Sequence, residues 1–180
     1  GIKVYPPSGY RPIGNAGKDA EDEDMGLDRP VTGATLDQRN RELYQFCSDH
    51  GVPVFTHCTP AGFERVKGKS GRLGDPRLWR EVLEEFPDLR LCFGHAGGGA
   101  GWFAEGDDFP NDPDNIYATE VYRLCTEPDF PNVVCGMGYL DEILNDDEVE
   151  TLQKRLEKLL DASQTNAAER FGKSILYGSD

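Results

Sequence analysis

The chain has 180 residues, 37% of them hydrophobic, enough for one domain with a sizeable core and too few for two comfortable ones. With 33 acidic residues against 19 basic ones the net charge is -14, a sign that opposes attraction to nucleic-acid phosphates or anionic lipid, so neither nucleic acid nor membrane is expected as a partner. No apolar run approaches the roughly 20 residues of a spanning helix, and no basic-then-apolar N-terminus marks a signal peptide, which leads to the expectation of a cytoplasmic protein. Five cysteines without a C-x-x-C fit neither a fully paired disulfide framework nor a local zinc knuckle, and read as reduced thiols.

In chain order, the apolar run Ile2 to Tyr5 reads as a first strand. A Gly/Pro-rich loop follows with an acidic run at Asp19, Glu21, Asp22, Glu23, Asp24 and Asp28, which reads as a solvated insertion because calcium-loop spacing is absent. Thr35 to Gln38 has the form of a capping box, and Leu36, Leu43, Phe46 and Cys47 recur on one helical face until Gly51 supplies the stop. The strand Pro53 to His57 comes next, then a long loop to Gly74. Asp75 as N-cap and Pro76 at the first helical position open a second helix, whose Leu78, Trp79, Val82, Leu83 and Phe86 are expected to face inward. Strand Leu89 to Gly94 ends at His95, and residues 96 to 115 read as loop. A helix over Ile116 to Cys125 precedes the strand Val133 to Cys135. Val149, Leu152, Leu156, Leu159 and Leu160 define an amphipathic helix, a short helix near Ala167 to Phe171 stops at Gly172, and strand Ser174 to Tyr177 closes the order.

Regular alternation of short apolar strands with helices predicts an α/β fold with parallel pairing and right-handed crossovers. An open doubly wound sheet and part of a (β/α)8 barrel both satisfy that pattern. The chemistry gathers at the strand ends. His57 ends the second strand, His95 the third, and Asp180 lies just beyond the fifth, on the face where parallel α/β sheets carry their sites. Imidazole nitrogen and carboxylate oxygen suit zinc or a similar divalent ion, and rigid neighbouring strands would fix such ligands without local sequence spacing. His50, beside a helix-ending glycine, reads as a capping residue. Cys58 follows His57 and points to the opposite side of an extended strand, where it packs.

The segments Gly1 to Pro7, Gly51 to Cys58, Phe93 to Gly98 and Ile175 to Asp180 resemble the amidohydrolase-related family, in the branch that includes aminocarboxymuconate-semialdehyde decarboxylase. The resemblance runs from end to end, and it implies a TIM-barrel-like (β/α)8 fold of which residues 1 to 180 supply strands four to eight. It also implies that His57 is a metal ligand, that Asp180 is a ligand that handles protons, and that His95 is a catalytic acid/base or a ligand. The implied cofactor is a divalent metal ion such as Zn. The family's His-x-His pair on its first strand is absent from the chain, and such barrels need about 250 residues; the expectation is therefore a partial barrel domain whose N-terminal strands lie outside this sequence. Lys3 occupies the strand where other amidohydrolases carboxylate a lysine to bridge two metals, but one metal is usual in this branch and no bridging role is assigned.

Two local features bear on the substrate. The cluster Gly97, Gly98, Gly99, Ala100, Gly101 lacks nucleotide-loop spacing and reads as backbone room beside His95. Residues 58 to 74 carry Arg65, Lys67, Lys69 and Arg72 against the single acid Glu64, an anomaly in so acidic a chain. With Arg11 on the first loop, Arg65 and Arg72 are candidates for recognising a small carboxylate-bearing substrate, because guanidinium forks suit carboxylates. The expected activity is hydrolysis by metal-activated water. The alternatives are metal-dependent non-oxidative decarboxylation, a non-catalytic α/β fragment and, last, a nucleotide-binding open sheet; homo-oligomerisation is left open.

Overall fold

The computed structural model describes residues 1–17, 31–60, 62–99, 102, 116–138, 144–161 and 166–176. The acidic run and most of the glycine-rich loop after His95 lie outside them, as does Asp180. Among the described residues the elements are β1 (Ile2–Val4), α1 (Gly33–Asp49), β2 (Val54–His57), α2 (Arg80–Glu85), β3 (Leu91–Gly94), α3 (Ile116–Thr126), β4 (Val133–Gly136), α4 (Asp146–Leu160), α5 (Asn166–Ser174) and β5 (Ile175–Leu176). Single 3-10 turns follow β1 at Pro6–Ser8, precede α2 at Ser70–Gly74 and Pro76–Trp79, and follow β3 at His95–Gly97.

The five strands form one sheet in the order β1-β2-β3-β4-β5, and every neighbouring pair is parallel. The predicted α/β class and parallel pairing are therefore present. Strand order never reverses among these five, so the sheet has no crevice of the kind that a doubly wound fold places at its switch point.

Register divides the sheet into two faces. Ile2, Val54, Leu91 and Val133 are aligned across it, as are Val4, Thr56, Phe93, Cys135 and Ile175. All nine are buried or packed against the core. Tyr44 and Cys47 of α1, Val82 and Leu83 of α2, Val121 and Leu124 of α3, Leu159 of α4 and Phe171 of α5 join the same cluster. Each helix thus contributes at least one buried apolar side chain to the layer on this face, the main stabilising contribution in such a layered fold. The alternate row, Lys3, Phe55, Cys92 and Val134, faces the other way. Lys3 is exposed, Phe55 and Val134 are half-buried, and none of the four belongs to the core cluster.

Several boundaries differ from the sequence expectation, each for a local reason. Helix α1 starts two residues before Thr35, because the Thr32 side chain caps it by accepting from the Thr35 amide at 3.1 Å. Its first residue is Gly33, where a Cβ would lie 2.0 Å from the Asn15 carbonyl oxygen, so the helix start and the loop after β1 can touch. Asp37 fixes that loop by accepting from the Asn15 and Ala16 amides and the Asn15 side chain at 2.7–3.0 Å. Gly172 does not stop α5, which runs on to Ser174, where the hydroxyl donates to the Cys125 carbonyl at 3.2 Å. On α4 the expected apolar stripe is only partly covered: Leu159 is buried, Leu152 and Leu156 are half-buried, and Val149 and Leu160 are exposed. Asp75 and Pro76 do open the α2 region, first as a 3-10 turn with the Asp75 carboxylate accepting from the Arg77 amide at 2.9 Å.

Candidate functional site

Both candidate histidines sit at the C-terminal edge of the sheet. His57 is the last residue of β2 and pairs in register with Gly94, so His95 stands one residue beyond it on the adjacent strand. Their rings meet edge to face with centroids 5.0 Å apart, and their relative exposures are only 6% and 7%. Beneath them Gly94 leaves room for the Phe55 ring, since a Cβ there would lie 2.6 Å from it.

His95 opens a one-turn 3-10 segment with φ of 63°, and Ala96 follows at 45°. Left-handed backbone at two consecutive non-glycine residues carries strain, which persists only where the surroundings over-determine it. Three hydrogen bonds do so here. Gly98 N–H donates to the His95 carbonyl at 2.7 Å, Gly97 N–H to the Cys58 carbonyl at 3.0 Å, and the Trp102 indole N–H to the Ala96 carbonyl at 2.9 Å. Gly97 and Gly98 also have positive φ, and a Cβ on either would come 2.5 Å from Ala118 N or Thr59 Oγ1. These two glycines give the turn the backbone room expected beside His95.

The His95 Nδ1 lies 3.3 Å from the Gly138 carbonyl oxygen. In the tautomer that donates this bond, Nε2 is the acceptor nitrogen of the ring. On the other side of His57 the Tyr5 ring packs at 4.5 Å between centroids, tilted by 34°. Tyr5 itself is pinned at the end of β1: its amide donates to the Tyr10 hydroxyl at 3.2 Å and its carbonyl accepts from the Ser8 hydroxyl at 2.7 Å.

The third predicted ligand, Asp180, falls outside the described residues, and among the described residues no three His, Cys, Asp or Glu side chains gather as a metal cluster. Arg65 and Arg72 are exposed on the loop between β2 and α2, and the Arg65 amide donates to the Pro7 carbonyl at 3.1 Å, which ties this basic loop to the segment after Tyr5. Arg11 is half-buried in the loop after β1, its amide donating to Asn15 Oδ1 at 2.7 Å and its carbonyl accepting from the Asn40 side chain at 3.2 Å. Lys3 places its ammonium 5.6 Å from the centre of the Phe55 ring, a cation–π contact on the sheet face away from the helices. His50 ends α1 with Nδ1 2.9 Å from the Phe46 carbonyl oxygen, as a cap. Burial pushes the Cys58 thiol well above its ordinary value, with Asp75 and Cys135 adding to the effect, so it packs as a neutral group.

Sequence reasoning missed Tyr5, Gly62 and Trp102. Tyr5 was within reach, because it follows β1 as His95 follows β3; Gly62 and Trp102 act across long loops and left no periodic signal.

The family model described as Amidohydrolase matches residues 18–180. No curated protein and no solved structure matches the chain. The family match spans most of the sequence, its members are generally enzymes that commonly bind divalent metals, and the parallel α/β sheet agrees with it: the chain belongs to the amidohydrolase family.

Proposed function

We propose that this chain carries the catalytic rim of a metal-dependent hydrolase acting on a small carboxylate-bearing substrate, in a (β/α)8 barrel to which it gives strands four to eight. The observation that carries the reading is the convergence of His57 and His95 at the ends of adjacent parallel strands. The barrel is supported by strands that are all parallel and follow one another in sequence order, which is how a sheet winds when it closes on itself.

The donor chemistry fits a divalent ion such as zinc. His57 and His95 offer imidazole nitrogens, Asp180 a carboxylate, and a carbonyl at the second nitrogen of His95 is the kind of outer contact that orients a ligating or proton-carrying imidazole. The chain has no His-x-His pair, so this set would be completed by other donors. When bound, the ion would polarise a carbonyl and lower the pKa of a water from about 15.7 toward about 7. His95, steadied through Nδ1, accepts a proton at Nε2 from the attacking water and returns it to the leaving group. Arg65 and Arg72, with Arg11, hold the substrate carboxylate by charge-assisted hydrogen bonds.

A second reading has one observation in its favour. The Tyr5 and Phe63 rings lie 6.3 Å apart beside His57, next to the basic loop, and Phe63 is 66% exposed. Such a surface suits a planar unsaturated carboxylate, whose protonation by His95 would release carbon dioxide, the reaction of the decarboxylase branch. Assaying small carboxylates for carbon dioxide against hydrolysis products separates the two.

Metal analysis tests the site itself. We expect about one divalent ion per chain and a clear loss of occupancy in His57→Ala and Asp180→Ala; normal metal content in both variants overturns the assignment. His95→Ala is expected to lower turnover on the order of 100-fold or more while metal is retained. Loss of metal in step with activity would make His95 a ligand.

A further inference from the structure

The segment Gly62–Phe63 crosses the edge of the His57 ring. A Cβ at Gly62 would lie 3.2 Å from both Cε1 and Nε2 of His57 and 3.5 Å from the Tyr5 hydroxyl, so the segment passes this edge of the imidazole too closely for a side chain to fit comfortably between them. Gly62 takes φ of 110°, a conformation that favours glycine. Little burial of its own holds this segment in place, since Gly62 is exposed and the Phe63 side chain is 66% exposed. It is fastened by hydrogen bonds: the Tyr5 hydroxyl donates to the Phe63 carbonyl at 3.1 Å, and two residues on, the Arg65 amide donates to Pro7. Tyr5 is therefore in contact with His57 through its ring and with the covering segment through its hydroxyl.

We propose that Tyr5 is a positioning residue that acts through His57: its ring seats the imidazole, and its hydroxyl latches Gly62–Phe63 across the Nε2 edge, so that reagents reach this nitrogen when the latch opens. The inference rests on reading His57 as a working residue of the site. Burial raises the Tyr5 phenol above its ordinary value, with the Phe63 hydrogen bond opposing, so the group remains a neutral donor at physiological pH. Segments held by few exposed hydrogen bonds and little apolar burial are the ones that open locally at low cost.

The test uses metal-free protein and diethyl pyrocarbonate, with the modification rate at each histidine read by peptide mass mapping. Exposed His50 serves as the internal reference. In wild type His57 should react much more slowly than His50. Tyr5→Phe keeps the ring and removes the hydroxyl, and should speed modification of His57 about five-fold, the scale set by one neutral hydrogen bond, with His50 and His95 unchanged. Amide hydrogen exchange should accelerate in step over residues 62–65. A Tyr5→Phe rate at His57 equal to wild type overturns the proposal, as does a rise shared by His50, which would mean general loosening. Because no metal takes part, failure here is distinct from failure of the metal assignment, which the His57→Ala and Asp180→Ala metal analyses address.

Discussion

The two faces of the sheet are built from the same kind of residue and meet different fates. Val54, Leu91, Phe93 and Val133 are at most 1% exposed beneath the helices, whereas Phe55 and Val134, one position along the same strands, are half-buried and outside the core. The strands are apolar on both faces, the pattern of a sheet meant to be covered on each side. Helices cover one. His57 shares the other face with Phe55, so the candidate site belongs to the side of the sheet that carries the least helix packing. Stability is concentrated on one face and chemistry at the rim of the other, which separates the residues that hold the fold from those that can be tuned for reaction.

Substitutions can break or sharpen that division. Phe93→Ala, on the covered face, should destabilise the protein by about 3–5 kcal/mol in urea titration, the cost of removing a fully buried aromatic ring. Phe55→Ala, its counterpart on the other face, should cost only about 1–2 kcal/mol because less apolar area returns to water. Equal losses would erase the distinction between the faces.

Gly94→Ala probes the junction between them. The new methyl would meet the Phe55 ring at 2.6 Å and the Thr56 carbonyl oxygen at 3.1 Å, an overpacking expected to cost about 1–3 kcal/mol. Since the ring is the closer obstacle, adding Phe55→Ala should relieve part of the cost, giving a favourable coupling of at least about 0.5 kcal/mol in the double-mutant cycle. Strict additivity would show that the ring yields without resistance.

A gentler effect is expected at alkaline pH. Burial, with help from Cys135, pushes the Cys92 thiol from 9.0 up to about 12, although it lies on the less covered face. A folded state that holds a proton more tightly than the unfolded chain loses stability as pH rises through the interval between the two values. Thermal melts should therefore be flat from pH 7 to just below 9 and decline from there toward 12. Because the buried Cys58 thiol contributes to the same decline, the comparison is with Cys92→Ala, whose decline above pH 9 should be shallower. A decline identical to wild type would mean that Cys92 is reached by solvent, and that the second face is open at its centre as well as at its edge.

Much of this was legible from residue order alone. The five apolar runs, the Asp75 cap and the placement of His57 and His95 at strand ends follow from patterns that repeat within a few residues. Local rules also misled at Thr35 and Gly172, where a competing cap at Thr32 and the packing of α5, with its Ser174 hydroxyl on Cys125, moved the helix ends by three residues each. On α4 the spacing of Val149 and Leu160 correctly marked an apolar stripe but carried no information on how far neighbours would cover it.

The sequence by itself determined the alternation of strands and helices, because backbone periodicity and capping are short-range physics. It also determined which residue types stand at the strand ends. Tertiary structure decided that the strands pair in sequential order, that the helices share one face, and that His57 lies between Tyr5 and His95 with Gly62 against its edge. Those contacts join positions far apart in the chain, and they depend on register and on close approach of backbones, neither of which leaves a periodic trace in the order of residues.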